Sequence, residues 1–198
     1  MAIIVDKLQK RKDIALSCTE LLLKKGIKKT TVAELAKTAG IAKGSIYDYF
    51  ENKEDIIFEV IRNEIYSYQK ELNENIKECY SVREKVFELF DFLLVDNEWN
   101  KRHRNFYKEY ISIDLGSENI YMSKFNLECN NFFKDILTVF IEDGISKNEL
   151  IKDSLNFVDT LIAIQKGFLI ISWTEKRDIK KELIESLNTI FDLVEVRK

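Results

Sequence analysis

The chain has 198 residues, a formal net charge of −3, 33% charged and 45% hydrophobic residues, no proline and six glycines. That balance excludes a disordered chain, and the scarcity of turn-formers excludes a β-fold built on tight turns in favour of long helices. Cys18, Cys79 and Cys129 are three in number and far apart, which excludes a disulfide framework, and the single histidine, His103, excludes the usual zinc spacings.

No apolar run approaches the length of a membrane span. Met1-Ala2-Ile3-Ile4-Val5 is too short for a signal sequence and has no basic stretch before it. A cytoplasmic protein with no membrane partner is expected. Charge is uneven: residues 1–50 hold ten bases and five acids, a net +5, which leaves −8 for the remainder. A basic head on an acidic body points to a polyanionic partner at the N-terminal end, or to an unevenly charged surface with no such role.

The first predicted helix covers residues 3–25, with Ile14, Cys18, Leu21 and Leu22 at helical spacing and Gly26 as its stop. Lys28-Lys29-Thr30 is a polar link. Thr31-Val32-Ala33-Glu34 is a capping box, in which the hydroxyl accepts from the N3 amide and the glutamate reaches back. The helix that follows carries Val32, Leu35, Ala36 and Ala39 on one face and ends at Gly40, in the left-handed conformation. After the turn Ile41-Ala42, a short helix is predicted over 43–49, with Ile46 and Phe50 facing inward. Asn52 caps a long helix that runs to Cys79. Further helices are predicted over 82–96, 100–115, 118–142, 153–174 and 179–196, with a break at Asp143-Gly144 among others. The fold class is therefore all-α.

Residues 31–53 carry the most information. Two short helices joined by Ala39-Gly40-Ile41-Ala42 read as a helix-turn-helix. Ala36 and Ala39 allow a close crossing, and Ile41 and Ile46 fill the wedge between the helices. The second helix would expose Lys43, Gly44, Ser45, Tyr47, Asp48 and Tyr49, slim enough for a major groove. Tyr47, Tyr49 and Lys53 suit phosphates. Lys43 and Ser45 suit base edges or phosphates, Gly44 lets backbone approach DNA, and the Thr31 hydroxyl can reach a phosphate or its own backbone. Lys28 and Lys29 either approach the backbone or are solvated.

The run from Thr31-Val32-Ala33-Glu34 through Ala39-Gly40-Ile41 to Ile46-Tyr47-Asp48-Tyr49-Phe50 and Asn52-Lys53-Glu54 resembles the DNA-binding signature of the tetracycline-repressor (TetR) family. Residues 14–26 are similar to that family's first helix. Two positions depart from its pattern. Ala42 stands where Ser or Thr often caps the recognition helix, a loss of about 1 kcal/mol, and Tyr49 stands where His is frequent. The resemblance implies a three-helix DNA-binding head at 1–51 and a helical regulatory domain at 52–198. It further implies a homodimeric, ligand-responsive regulator, a repressor released from a palindromic double-stranded operator by a small-molecule effector. No cofactor is implied. The alternative is a helical interaction or ligand-binding module without DNA binding.

The body is aromatic. Phe87, Phe90, Phe106, Tyr110, Phe125, Cys129 and Phe133 are candidates to line an effector pocket, or else ordinary core. Few charged groups share those faces, so an apolar or aromatic effector is expected. Lys101-Arg102-His103-Arg104 reads as a solvated helix start rather than an anion site, with a pH-reading or carboxylate-reading role for His103 as the alternative. Leu161, Phe168, Leu183, Leu187, Phe191 and Val194 form apolar faces on the last two helices, and the resemblance makes them a four-helix dimer seam. An enzyme is disfavoured: no Ser/His/Asp set, nucleophile elbow or glycine-rich phosphate loop is present.

Overall fold

A computed structural model describes residues 6–116 and 120–196 of the chain, and the described residues are helical with one isolated β-bridge. Residues 3–5, read above as the start of a helix, lie outside the described ones. α1 spans Lys7–Lys25, opened by the Asp6 carboxylate, which accepts from the Leu8 and Gln9 amides, and closed by Gly26 at φ 87°. α2 spans Val32–Thr38 and has both halves of the expected capping box between Thr31 and Glu34. Gly40 follows at φ 68°, the left-handed conformation that the turn requires.

The helix expected over 43–49 is not an α-helix. Only a 3-10 turn forms, at Ser45–Asp48, and its first residue is preceded by Gly44 with no side-chain cap. The absence of a capping hydroxyl at Ala42 and the flexible Gly44 leave an α-helical start unsupported, so a tighter turn forms instead. α3 (Lys53–Asn75) begins where the Asn52 side chain accepts the Asp55 amide, and a 3-10 turn at Ile76–Glu78 ends it.

The pattern expected over 82–96 is broken in two. α4 (Val82–Leu89) starts at a second capping box, Ser81 with Glu84, and α5 (Asp91–Leu94) follows a kink at Phe90. α6 is Glu98–Asp114 and α7 is Ile120–Ser146. α7 runs through the break expected at Asp143-Gly144. A Cβ on Gly144 would lie 2.6 Å from Val82 Cγ2 and 3.0 Å from Leu150 Cδ1, so this glycine provides close helix packing rather than a stop. A 3-10 segment at Lys152–Phe157 leads into α8 (Val158–Glu175). Lys176 turns the chain in the left-handed conformation before α9 (Lys180–Val194).

The chain divides into two compact units, Met1–Glu71 with Lys101–Glu118 and Leu72–Asn100 with Asn119–Lys198. The first buries Ile14, Ala15, Cys18, Leu22, Leu35, Ala36, Ile46 and Phe50, and also Ile56, Ile57 and Val60 of α3. It therefore extends past residue 51, because the apolar face of α3 is core for the head. The second is built on α4, α7, α8 and α9, with Val82, Val86, Leu137, Ile141, Leu161, Leu183, Leu187 and Phe191 buried. Its chain end is clamped: the Ile151 amide donates to Val194 O and the Val196 amide to Glu149 O, each at 2.9 Å.

The segment Lys152–Glu175 is, by length and composition, long and apolar enough to cross a membrane, although the sequence reading expects no such run. Only 28% of the apolar window is buried within the chain. An apolar helix of this kind also suits burial against another protein surface.

Candidate nucleic-acid interface

The helix-turn-helix is held from below by its apolar residues. Leu35 and Ala36 of α2, Ile46 of the 3-10 turn and Phe50 after it are all buried. Ile41 donates its amide to Ala36 O at 3.0 Å, which closes the turn around Gly40. Above this layer lie the expected contact residues. Thr31, Lys43, Gly44 and Tyr47 are exposed, Tyr47 by 52%, while Ser45, Tyr49 and Lys53 are half-buried. All seven lie in the first unit, on the start of α2, the 3-10 turn and the start of α3. Lys28, Lys29 and Lys37 are exposed in the same unit, and Asp48 is the exposed acid of the turn itself.

Two of these side chains are already engaged. The Thr31 hydroxyl donates to Glu34 Oε2 at 3.0 Å and accepts the Glu34 amide at 3.3 Å. A phosphate could take its proton only in competition with that carboxylate. Lys53 Nζ donates to Ile27 O at 2.5 Å, which ties the start of α3 to the loop after α1 and leaves the ammonium two further protons. Lys25 pairs with Glu34. This partner, with the Thr31 amide and hydroxyl, holds the Glu34 carboxyl down at about 2.

The sequence reading passed over Arg11 as one base among ten. Its guanidinium donates to Tyr49 O, to Asp55 Oδ2 at 3.1 Å and Oδ1 at 2.7 Å, and to Glu59 Oε2 at 3.4 Å, and it lies 4.5 Å from the Phe50 ring centroid. Arg11 thus joins α1, the end of the recognition turn and α3 in one bidentate, charge-assisted cluster. The hydrogen bond to Asp55 raises its own pKa, and the Asp55 carboxyl is held below its ordinary value by Arg11 and the Glu51 amide against the opposing effect of burial. A signal was available: Arg11 stands three and four residues before Ile14 and Ala15, on the buried stripe of α1, where a cation needs a partner.

The basic stretch on α6 is not a solvated helix start. Arg102 pairs with Glu20 at 2.7 Å, and half-buried His103 meets Glu64 at 2.5 Å. Both pairs tie α6 into the first unit.

The expected pocket residues are not brought together in one unit. Phe106 and Tyr110 are buried in the first, where Tyr110 meets Phe58 edge-on at 6.4 Å and stacks on Tyr107 at 6.3 Å. Phe87, Phe90, Phe125, Cys129 and Phe133 belong to the second, with Phe90 and Phe125 buried and the other three half-buried.

The expected dimer seam needs correcting. Leu161, Leu183, Leu187, Phe191 and Val194 are buried inside the single chain, Leu183 and Leu187 completely. A side chain enclosed by its own protomer has no surface to offer a second copy. Only Phe168 of the six is partly accessible. The period of α9 was read correctly, but periodicity marks a buried face and does not say what buries it.

Residues 18–60 match the family of bacterial regulatory proteins known as the tetR family. Over 185 residues the chain is 26% identical to the fatty acid metabolism regulator protein of Bacillus subtilis strain 168, covering 90% of both chains. A TetR-family transcriptional regulator from Cytophaga hutchinsonii has the same fold, with a TM-score of 0.74, 20% identity and coverage of 98% and 99%. So does the transcriptional regulator FadR of Bacillus subtilis in complex with stearoyl-CoA, with a TM-score of 0.63, 23% identity and coverage of 91% and 95%.

Proposed function

The chain belongs to the tetR family of bacterial regulatory proteins, and from that premise we propose that it is a cytoplasmic transcriptional repressor that binds a palindromic operator as a homodimer. The observation that carries this reading is the helix-turn-helix itself: exposed Lys43, Gly44, Tyr47 and Asp48 on a buried layer of Leu35, Ala36, Ile46 and Phe50. The first unit supplies the DNA contacts and the second the regulation and dimerisation. Tyr47, Tyr49, Lys53 and Thr31 meet phosphates, Gly44 admits the backbone to the groove, and Lys43 and Ser45 reach base edges. In a dimer the two recognition turns enter successive major grooves about 34–36 Å apart.

The second copy covers the outer faces of α8 and α9. Ile170 (42% exposed) and Leu193 (67%), with Ile184 and Phe168, supply apolar surface there that the single chain leaves accessible. The effector is a small apolar or aromatic molecule held by Phe87, Phe90, Phe125, Cys129 and Phe133 of the second unit. The neighbour solved with stearoyl-CoA supports the apolar part of that chemistry through its acyl chain, although its CoA head is large and anionic. Binding releases the operator to the extent that the effector prefers the shape with the wrong head spacing.

Selection of duplexes from a random library by the wild-type chain tests the reading. A palindromic consensus bound by two chains is expected, with affinity falling steeply as salt rises. Tyr47→Phe should then weaken all duplexes alike by about threefold to tenfold, whereas Lys43→Ala should change their ranking. Enrichment of no sequence, with no retardation of any duplex at low salt, leaves a ligand-binding helical module instead.

A further inference from the structure

A side chain 82 positions away in sequence holds the head. The Glu109 carboxylate, on α6, accepts the Ile27 amide through Oε2 at 2.8 Å and the Lys28 amide through Oε1 at 2.7 Å. Both acceptors and donors belong to the first unit. The same peptide segment is gripped from its other side, since Ile27 O accepts Lys53 Nζ at 2.5 Å. Gly26 O accepts the Thr30 hydroxyl at 2.7 Å, and Thr30 and Ile27 are both buried. Gly26 itself adopts φ 87°, and a Cβ there would come within 2.6 Å of Glu109 Oε2. The loop between α1 and α2 is therefore shaped around this carboxylate: a left-handed glycine clears its path and two consecutive amides point at it.

Nothing in α1, α2 or the recognition turn needs this clamp in order to be helical. Its effect is on placement. The loop carries the start of α2, whose N-cap, Thr31, is one of the expected phosphate contacts, only three residues beyond the clamped Lys28 amide. The other end of the recognition turn is anchored independently by Arg11 on Tyr49 O. With both ends fixed to long helices, the two DNA-facing elements have one arrangement relative to α3 and α6. Without Glu109, two amides at the loop would lose a charged acceptor and take water instead.

We propose that Glu109 is a positioning residue for DNA recognition, acting through the Ile27 and Lys28 amides to hold the helix-turn-helix in its reading arrangement. The proposal rests on the DNA-binding reading above. DNA engages only molecules whose head is so placed, and apparent affinity falls in proportion to that fraction. Gln cannot replace Glu here, because a carboxamide would turn one N–H donor towards a second N–H.

The test compares wild type with Glu109→Gln and Glu109→Leu, using the duplex that wild type itself selects, well below the melting temperature. Both variants should remain helical by circular dichroism. Amide exchange at Ile27 and Lys28 should speed up, and duplex affinity should fall by about tenfold, the loss of one charged hydrogen bond. The slope of affinity against salt should stay as in wild type, since no phosphate contact is removed. A merely structural residue would lower the melting temperature and leave the affinity of the folded protein unchanged. That outcome, or unaltered exchange at the two amides, overturns the proposal. A wild type that selects no duplex overturns the DNA-binding reading and this one with it, whereas a wild type that binds and variants that bind equally well overturn this one alone.

Discussion

The two compact units are stabilised in different ways. In the second, α7, α8 and α9 are long, and their buried leucines, isoleucines and phenylalanines hold it together through area removed from water. The first joins short elements to its long helices, with seven residues in α2 and four in the recognition turn. Pieces of that length are marginal as isolated helices, and here they are fixed by directional polar contacts: the Thr31–Glu34 box, Arg11 on Tyr49 O, Lys53 on Ile27 O and Glu109 on two amides. Apolar packing tolerates many arrangements of similar energy, while a charged hydrogen bond accepts few. The second unit has such bonds too, in Arg83 with Asp192 and Glu195, but there they join α4 to the end of the long α9 rather than hold a short turn.

The largest expected effect lies in the apolar unit. Leu187→Glu puts an unpartnered carboxylate at a fully buried site, a cost above about 4 kcal/mol, and should yield insoluble or unfolded protein rather than folded monomer. Leu193→Glu, on the exposed face of the same helix, should stay folded and lower the sedimenting mass from dimer to monomer. Equal behaviour of the two variants would break the distinction between inner and outer faces of α9.

Arg11→Met is expected to have a middling effect. The aliphatic stem is kept over Phe50, but Asp55, Glu59 and Tyr49 O lose their shared donor, which should destabilise the first unit by about 1–3 kcal/mol. Thermal unfolding should show the loss, and duplex affinity should fall with it. A variant as stable as wild type would mean that apolar packing alone holds this unit as well.

The smallest effect is a pH dependence. The Glu34 carboxyl titrates at about 2 in the folded chain because of Lys25 and Thr31, against about 4.3 in an unfolded one. The unfolded state binds the proton more readily, so the stabilisation from this group is complete above that pH and is lost as pH falls towards 2. Lys25→Ala should move the Glu34 titration, followed by carboxyl NMR shifts, upward towards the ordinary range. An unmoved titration would assign the depression to Thr31 alone.

Local features are legible in the sequence alone. The capping boxes at Thr31 and Ser81 differ in this respect: Thr31-x-x-Glu34 is evident from its residues, whereas Ser81-x-x-Glu84, a box of the same kind, lies in the gap between two predicted helices. Gly40 in the left-handed conformation, the Asn52 cap and the inward Ile46 and Phe50 follow from local stereochemistry and spacing. Gly144 misled the reading because a glycine that ends a helix and one that admits a neighbouring helix look alike in sequence, and only Val82 and Leu150 distinguish them.

By itself the sequence determined that the fold is all-α and which face of the helix-turn-helix is polar. These are properties of neighbours within a few positions, where capping, periodicity and turn chemistry act. Only the tertiary structure decided that the apolar stripe of α9 is buried within its own chain, and that Arg11 and Glu109 hold the head. The hold of Arg11 and Glu109 depends on groups that meet across 38 to 82 positions of chain. A contact at that separation leaves no period or spacing behind, because a charged side chain reads the same in sequence whether it faces water or a buried partner.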